Sequence, residues 1–503
     1  EAAIAAFTPE KFYTVALTLA DGGTASSKRF AQKADAELLL SKCRKEGRVT
    51  VQKMERKEKS ESPPQLYDLT ALQRDANRLF GFTAKQTLEY TQSLYEKKLV
   101  TYPRTDSQYL SDDMEGTAKN VIEAIFNSLL FEQNIMFNPD IKRILNSKKV
   151  TDHHAIIPTM EIIKQDLKAI PESEMKILSL CANRLLCATG EKHIYNSTKA
   201  VITCNNTVFK VSGKEVWKNG WKEFEDFFKN SYKTAEDKSD AEEEKKLPEL
   251  REGMMIAVEQ TKVSEHFTQP PKHYTEDSLL SAMERAGAED MGDEVERKGL
   301  GTPATRADII EKLVKDGFVK REKKQMIPTE DGMKLITILP DVVKSPKLTA
   351  DWENELTLVS KGEVAAEQFM SGIEAMVTDL VKTYHSVSDE QKAMFGTGKG
   401  GQEVLGKCPK CGADVVRGKF GAYCTGKCGM NVGKALGVTL SDTQVKSLLQ
   451  GKKMLVKGLK GKKRSYDAYL IPQSIEEFSY TKDGKEIKGF QYKFKMEFPQ
   501  RKD

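Results

Sequence analysis

Apolar and polar residues alternate over residues 12–19 and again over 49–54, and between the two runs residues 34–45 carry a helical spacing. Asp21-Gly-Gly23 reads as the turn that closes the first strand. Strand patterns return at 200–204 and 208–211, joined through Asn205-Asn206 as a hairpin would be, and once more over 254–263. The charged, proline-containing stretch 56–64 is expected to break the strand pattern. What lies between the β-rich pieces is largely helical. The pattern therefore predicts one β-containing domain interrupted by a helical insertion.

The insertion starts near Gln65. Thr83-Ala-Lys-Gln86 is a capping box, and Leu88, Thr91, Leu94, Tyr95 and Leu99 follow at helical spacing until Val100-Thr-Tyr-Pro-Arg104 breaks the helix. Pro103 disfavours the α region for the residue before it, so Tyr102 falls where a helix gives way to extended chain and a side chain is presented outward. A second helical block begins near Tyr274. In it Thr302 and Pro303 read as N-cap and first helical residue, Ile309, Ile310, Leu313 and Val314 form an apolar stripe, and Gly317 ends the helix. Phe318-Val-Lys320, the basic tip Arg321-Glu-Lys-Lys324 and Met326-Ile-Pro328 follow; a helix leading into a basic-tipped hairpin is the shape of a winged-helix module. The acidic, Lys-rich stretch 234–246 reads as a surface loop, and the glycine-rich stretch 396–406 as a linker.

At 503 residues the chain should hold about three to five packing units. With 39% hydrophobic and 30% charged residues, and a mean hydropathy of -0.52, it reads as a soluble globular protein. No run approaches a membrane span and no secretion signal is visible, so no membrane partner is expected. The net charge of +5 changes the picture only when split by position. Residues 401–503 carry 21 Lys or Arg against 10 Asp or Glu, while the first 400 carry 58 against 64. Basicity concentrated in a tail points to nucleic acid, because clustered lysines gain affinity by releasing counterions from phosphates.

Of eight cysteines, Cys43, Cys181, Cys187 and Cys204 are scattered and expected to be buried and reduced. Cys408-Pro-Lys-Cys411 and Cys424-Thr-Gly-Lys-Cys428 instead form two spaced pairs that fit a structural Zn2+ site with four thiolate ligands, and Gly412, Gly426 and Gly429 permit tight turns around it. Downstream, Ser441-Asp-Thr-Gln444 caps a short helix ending at Gly451, and a hairpin turns at Asp483-Gly484. Tyr466, Tyr469, Phe478, Tyr480, Phe490, Tyr492 and Phe494 interleave with lysines, which suits either single-stranded nucleic acid or the core of a small sheet.

The densest polar cluster is Tyr102-Pro-Arg104-Thr105-Asp106-Ser107. A phenol is a poor nucleophile at neutral pH, so a catalytic Tyr needs a nearby cation to favour phenolate and steady a pentavalent phosphate. The Arg104 fork matches two phosphate oxygens. Thr105, Asp106 and Ser107 either cap the following turn or contact the backbone of a bound strand. The second cluster, Thr151-Asp152-His153-His154, offers a His to hydrogen-bond a phosphate or to orient the Tyr.

These runs, with Asp152-His-His-Ala-Ile-Ile-Pro-Thr159, Pro270-Pro-Lys-His-Tyr-Thr-Glu276, Gly299-Leu-Gly-Thr-Pro-Ala-Thr-Arg306 and Leu348-Thr-Ala-Asp-Trp-Glu353, resemble in order the motifs of type IA DNA topoisomerases, most closely the topoisomerase III branch of bacteria. The resemblance spans residues 7–385, and the zinc ribbon with its basic tail resembles the C-terminal extension of bacterial members. It implies an α+β multidomain gate: residues 1–62 and 190–270 as the two segments of a β arch, 63–189 as a helical domain carrying the nucleophile, and 272–385 as a winged-helix-like domain that grips single-stranded DNA. A linker over 386–406, a zinc ribbon over 407–436 and a small basic β-rich DNA-binding region over 437–503 complete the organisation.

By the same resemblance Tyr102 attacks one DNA strand and stays linked to its 5′ phosphate, Arg104 steadies that phosphate, and His153 rather than His154 is the active-site His. Thr302, Thr305 and Arg306 become DNA-contact candidates, the reaction needs no ATP, and the protein works in the cytoplasm with the nucleoid. Family members bind Mg2+ through a TOPRIM domain with a D-x-D-x-[DE] cluster, which occurs nowhere here. The chain is therefore expected to be a fragment, weak or inactive until a TOPRIM-containing segment or partner chain is supplied. A non-catalytic DNA-binding protein is the competing expectation, and a His-dependent relaxase ranks well below because His153 and His154 are adjacent.

Overall fold

β1 (Lys11–Leu19) buries every second residue from Tyr13 to Leu19, and its alternation sets one wall of a closed antiparallel barrel. The computed structural model describes residues 1–498 apart from 21, 132–136, 151, 233–246, 248–249, 288–298, 385, 387, 389–390, 392–403, 419–420, 461–464 and 483–484, and apart from the side chains of 460 and 480–488. The acidic loop at 234–246, most of the 386–406 linker, Thr151, Asp21 and the turn at 483–484 thus lie outside the described residues, as does the side chain of Tyr480.

After a short helix α1 (Ala2–Ala5), the barrel is built in the order β1, β2 (Thr24–Ser27), β5 (Thr207–Lys218), β4 (His193–Cys204), β3 (Arg48–Glu61) and β6 (Met255–Phe267). Strands from before and after the helical block therefore share one sheet. Val15, Leu17, Val49, Ile202, Phe209 and Ile256 fill it, and helix α2 (Lys33–Glu46) adds Ala36, Leu39 and Cys43. The β4–β5 turn uses Asn205 and Asn206 at φ of 48° and 56°, the left-handed geometry that a two-residue hairpin demands. One expectation fails: β3 does not break at Arg56 but runs to Glu61. Beyond Val51 most of its side chains are solvent-exposed, so charge costs little, while pairing with β4 from Lys53↔Val201 to Glu61↔His193 satisfies the backbone.

The helical block comprises α3 (Leu69–Phe80), α4 (Ala84–Glu96), α5 (Glu115–Phe126) and α6 (Glu172–Ala188), whose apolar faces share a core that includes Leu72, Leu94, Ile125, Ile177 and Leu185. The expected capping box opens α4, with Thr83 and Gln86 exchanging bonds. Helix α7 (Lys222–Tyr232), in a stretch that sequence assigns to the arch, inserts Phe224 and Phe228 into this helical core instead. Its phenylalanines fall four apart, on one face, and the helical core supplies that face with an apolar partner.

Beyond the barrel, α8 (Glu276–Arg285) and α9 (Pro303–Lys315) pack with a three-stranded sheet of β7 (Tyr274–Thr275), β9 (Gln325–Pro328) and β8 (Val319–Glu322), in the stretch that sequence assigns to a winged-helix-like module. Two basic residues of the hairpin tip are engaged within the protein. Arg321 binds Glu276 at 2.6 Å and Glu311 at 2.5 Å, and Lys324 donates to the Arg78 carbonyl at 3.2 Å, docking the tip on the end of α3. Helices α10 (Glu330–Ile338), α11 (Asp341–Lys344), α12 (Lys347–Ser360) and α13 (Ala366–Thr383) complete this unit, with α13 burying no residue.

Residues Tyr384–Asp503 form a separate compact unit. Its sheet of β10 (Val404–Lys407), β11 (Asp414–Gly418) and β12 (Gly421–Cys424) begins three residues earlier than the expected ribbon. A ribbon of β13 (Lys434–Ala435) and β14 (Val438–Thr439) leads to α14 (Asp442–Leu449), capped by Ser441 and Gln444 as the sequence requires, and to a sheet of β15 (Met454–Lys460), β16 (Ser465–Lys482) and β17 (Lys485–Glu497).

Glu276 ties the winged-helix segment to the helical block. Its nearly inaccessible carboxylate accepts from the Ala84 N–H at the start of α4 at 2.7 Å while holding Arg321. Glu276→Ala leaves the Ala84 N–H unpaired and Arg321 with Glu311 alone, and is expected to cost about 2 kcal/mol. Urea denaturation of the full chain measures this; a loss under about 0.5 kcal/mol, the scale of an ordinary surface change, would remove Glu276 from that role.

Candidate active site and metal centre

The α4 helix ends in a Schellman turn: Leu99 N–H bonds Leu94 O at 2.9 Å, Lys98 N–H bonds Tyr95 O at 2.8 Å, and Lys98 takes φ of 62° where glycine is usual. The chain then runs antiparallel to residues 155–158, a segment buried throughout. Its backbone groups are satisfied by the Tyr102 loop and its neighbours. Ala155 N–H bonds Tyr109 O at 2.9 Å, Ile156 N–H bonds Tyr67 O at 2.8 Å, and Thr101 N–H bonds Ile157 O at 3.0 Å. The Thr101 hydroxyl donates to Ala155 O at 2.9 Å and accepts from Ile157 N–H at 3.0 Å, closing the ladder beside Tyr102. Tyr67 is held in turn by Arg184, which stacks on its ring 4.1 Å from the centroid and bonds its hydroxyl at 2.9 Å.

This ladder brings Tyr102 and His153 together across 51 positions of sequence. Their rings lie 4.2 Å apart between centroids at 44°, and Tyr95 meets Tyr102 edge-on at 5.4 Å. Tyr102 is half-buried; Arg104, Asp106 and His153 are exposed on the same loops. Thr105 and Ser107 are buried, and their hydroxyls are spent inside the protein. Thr105 donates to His153 O at 2.8 Å and Ser107 to Lys149 O at 2.8 Å. The two residues thus bind the Tyr loop to the His loop.

Thr302 and Thr305 cap α9, Thr302 N–H donating to the Thr305 hydroxyl at 2.8 Å. Arg306 is 3% exposed and turns inward, donating to Leu300 O at 3.1 Å and to the Thr70 hydroxyl at 3.0 Å. Thr70 follows Leu69, whose N–H bonds Thr105 O at 3.1 Å, so the start of α3 links Arg306 to the Tyr loop. Sequence reasoning missed Thr101; the one available signal was a β-branched hydroxyl placed immediately before the Tyr at a helix exit.

In the second unit Cys408 and Cys428 Sγ lie 3.6 Å apart, Cys411 and Cys424 3.4 Å, and Cys428 and Cys424 3.7 Å. All four sulfurs fall within 4.8 Å of one another, and tetrahedral zinc with bonds near 2.3 Å needs S···S separations of about 3.8 Å. A Cβ on Gly426 would sit 2.9 Å from Cys411 Sγ, so the glycine leaves room for the cage. The Cys411 thiol is lowered to about 7 by the Ala413 N–H and its neighbouring thiols, which favours the thiolate a metal requires; burial raises Cys424 to about 12. After Cys428 the chain bonds β17, with Asn431 N–H on Phe490 O at 2.7 Å, so the cage fastens the ribbon to the tail sheet. Tyr466, Phe490, Tyr492 and Phe494 pack against that shared core, whereas Phe498 is exposed. Among the described residues no other group of three or more metal-ligating side chains converges, and none surrounds Tyr102. The described residues therefore do not fit Mg2+ beside the Tyr. Nor is any described helix long and apolar enough to cross a membrane.

A family model described as DNA topoisomerase matches residues 1–371, and one described as C-terminal repeat of topoisomerase matches 427–482. DNA topoisomerase 3 of Bacillus subtilis is 34% identical over 445 residues, covering 84% of this chain and 59% of the relative. DNA topoisomerase 3 of Bacillus licheniformis is 37% identical over 375 residues, covering 71% and 49%. The chain thus spans about half the length of the curated relatives it matches. The full-length topoisomerase I structure from Thermotoga maritima shares the fold at a TM-score of 0.57 and 22% identity, covering 85% of this chain and 67% of that one. The chain belongs to the type IA DNA topoisomerase family, in its topoisomerase III-like branch.

Two measurements check the geometry. Thr101→Val keeps shape but strips the ladder of its hydroxyl, leaving Ile157 N–H unpaired and Ala155 O with the His154 ring alone. It should cost about 2 kcal/mol in denaturant unfolding, with Thr101→Ser near wild type. Chelation of a zinc-loaded chain should abolish the protection of residues 404–497 in hydrogen exchange, and readdition of Zn2+ should restore it; unchanged protection would mean that the cage is not a metal site.

Proposed function

We propose that this chain supplies the nucleophile and strand-gripping surfaces of a type IA topoisomerase reaction on DNA. The observation that carries the reading is the Tyr102–His153 ring contact at a helix exit, beside the exposed Arg104. In this reading the Tyr102 phenol oxygen attacks a backbone phosphorus. The Tyr O–P bond forms, the P–O3′ bond breaks, and the 3′ oxygen leaves as a hydroxyl after taking a proton, while the phenol gives its proton up. A second strand passes before the 3′ hydroxyl reverses the exchange. Bond energy is kept in the phosphotyrosine, so no ATP is needed. Arg104 offers two donors to non-bridging oxygens, and His153 orients the phenol or bonds the phosphate.

Asp106, Thr302 and Thr305 remain contact candidates for a bound strand, while Thr105, Ser107 and Arg306 act through the scaffold. The zinc-ribbon tail, with 21 Lys or Arg against 10 Asp or Glu in residues 401–503, recruits single-stranded segments near the nucleoid. Mg2+ is assigned to a TOPRIM-containing segment or partner chain.

The test is a single-stranded oligonucleotide incubated with the chain and Mg2+, with and without a separate TOPRIM domain, and the covalent product trapped by denaturation. Wild type should give a 5′-linked adduct when TOPRIM is present, Tyr102→Phe none, and Arg104→Ala or His153→Ala at least about tenfold less. Equal behaviour of wild type and Tyr102→Phe would instead support a DNA-binding protein without catalysis.

A further inference from the structure

We propose that Asp68 is a positioning residue for the Tyr102 loop, its carboxylate locking that loop to the N-terminus of α3. This rests on the reading of Tyr102 as the nucleophile. Asp68 is the N-cap of α3, is 5% exposed, and uses its two oxygens on different partners. One accepts from Ala71 N–H at 2.7 Å, inside the helix. The other accepts from the Gln108 side-chain amide at 2.7 Å, at the far end of the Tyr102–Ser107 run. The next residue repeats the connection in backbone, Leu69 N–H on Thr105 O at 3.1 Å, and the one after it, Thr70, receives Arg306 from α9 at 3.0 Å. Three consecutive residues at one helix end thus hold the Tyr loop on one side and the winged-helix segment on the other.

An amide at position 68 would satisfy the cap equally well, since Asn is as good an N-cap as Asp. What it would lose is the second acceptor: its NH2 would face the Gln108 NH2, and Gln108 would have to turn over or let go. The carboxylate is held here at a cost. Burial raises its pKa to about 6, against the bonds from Ala71 and Gln108 and the charge of Arg306, which lower it, while the Glu284 charge raises it further. The sign follows. A carboxyl that binds its proton more tightly folded than unfolded contributes stability below its ordinary value of 3.8, and loses it as pH rises through about 6. At neutral pH the fold would be better off with Asn, so the carboxylate serves the loop rather than the helix.

The experiment compares the full chain with Asp68→Asn from pH 5 to 8, by hydrogen exchange at Leu69 and Ser107 corrected for intrinsic rates, by thermal melting, and by trapped adduct with the same oligonucleotide, Mg2+ and separate TOPRIM domain. At pH 7.5 wild-type protection at both amides should be about tenfold that of Asp68→Asn, whose protection should not vary with pH. Asp68→Asn should melt no lower than wild type and should give about tenfold less adduct at pH 7.5. Equal protection and pH dependence in the two proteins would overturn the proposal. So would a variant that loosens the loop only because it melts early, which the melting curve exposes and which Asp68→Ser, an alternative cap without the second acceptor, checks independently. If wild type itself gives no adduct, the nucleophile reading fails, and hydrogen exchange still decides whether Asp68 holds the loop.

Discussion

Residues 155–158 are buried on every side, and a buried peptide that cannot reach water must find each of its donors and acceptors a partner. Much of the first unit's local architecture follows from that demand. The partners are Tyr109, Tyr67 and Thr101, of which Thr101 directly precedes Tyr102 and Tyr109 follows it. Satisfying them fixes the chain on both sides of Tyr102 and delivers His153, two residues upstream of the ladder, against its ring. The Tyr102–His153 contact is thus a by-product of backbone accounting in the core, which makes its geometry as durable as the core itself.

The same economy recurs where separate segments meet. Glu276 completes a helix that begins 192 residues earlier, and Arg306 reaches α3 instead of solvent. Side chains that look, by type and motif, like ligands for phosphate are here partners for one another. Among the residues proposed to meet DNA, Arg104, Asp106, His153 and Thr305 are the exposed ones.

Much of this was legible in the sequence because it depends on neighbours along the chain. Capping boxes at Thr83 and Ser441, the Asn205-Asn206 hairpin, Pro303 at the start of α9 and the paired cysteines are local chemistry, and their local signals suffice. The β domain interrupted by helices was legible because alternation survives on either side of the insertion. What could not be read depends on distant partners. Charged residues 56–61 stay in strand because β4 happens to lie alongside; Arg306 and Arg321 turn inward because acceptors wait there; Phe224 and Phe228 choose the helical core over the barrel. Tyr102 could be singled out from its setting at a helix exit, but Thr101 could not, since its worth lies in two backbone atoms over fifty residues away.

Lys98 carries a further implication. A lysine held in the left-handed region at the end of α4 fixes the angle at which the chain leaves the helix, and its carbonyl is pinned by the Thr159 hydroxyl on the opposite strand. There is no slack between the helix and the tyrosine. Mechanically, Tyr102 is welded to the helical block, so under the proposed reading a DNA end attached to it would be carried wherever that block goes. Any gap opened between broken ends would be set by movement of the whole block, since the tyrosine has no tether on which to swing.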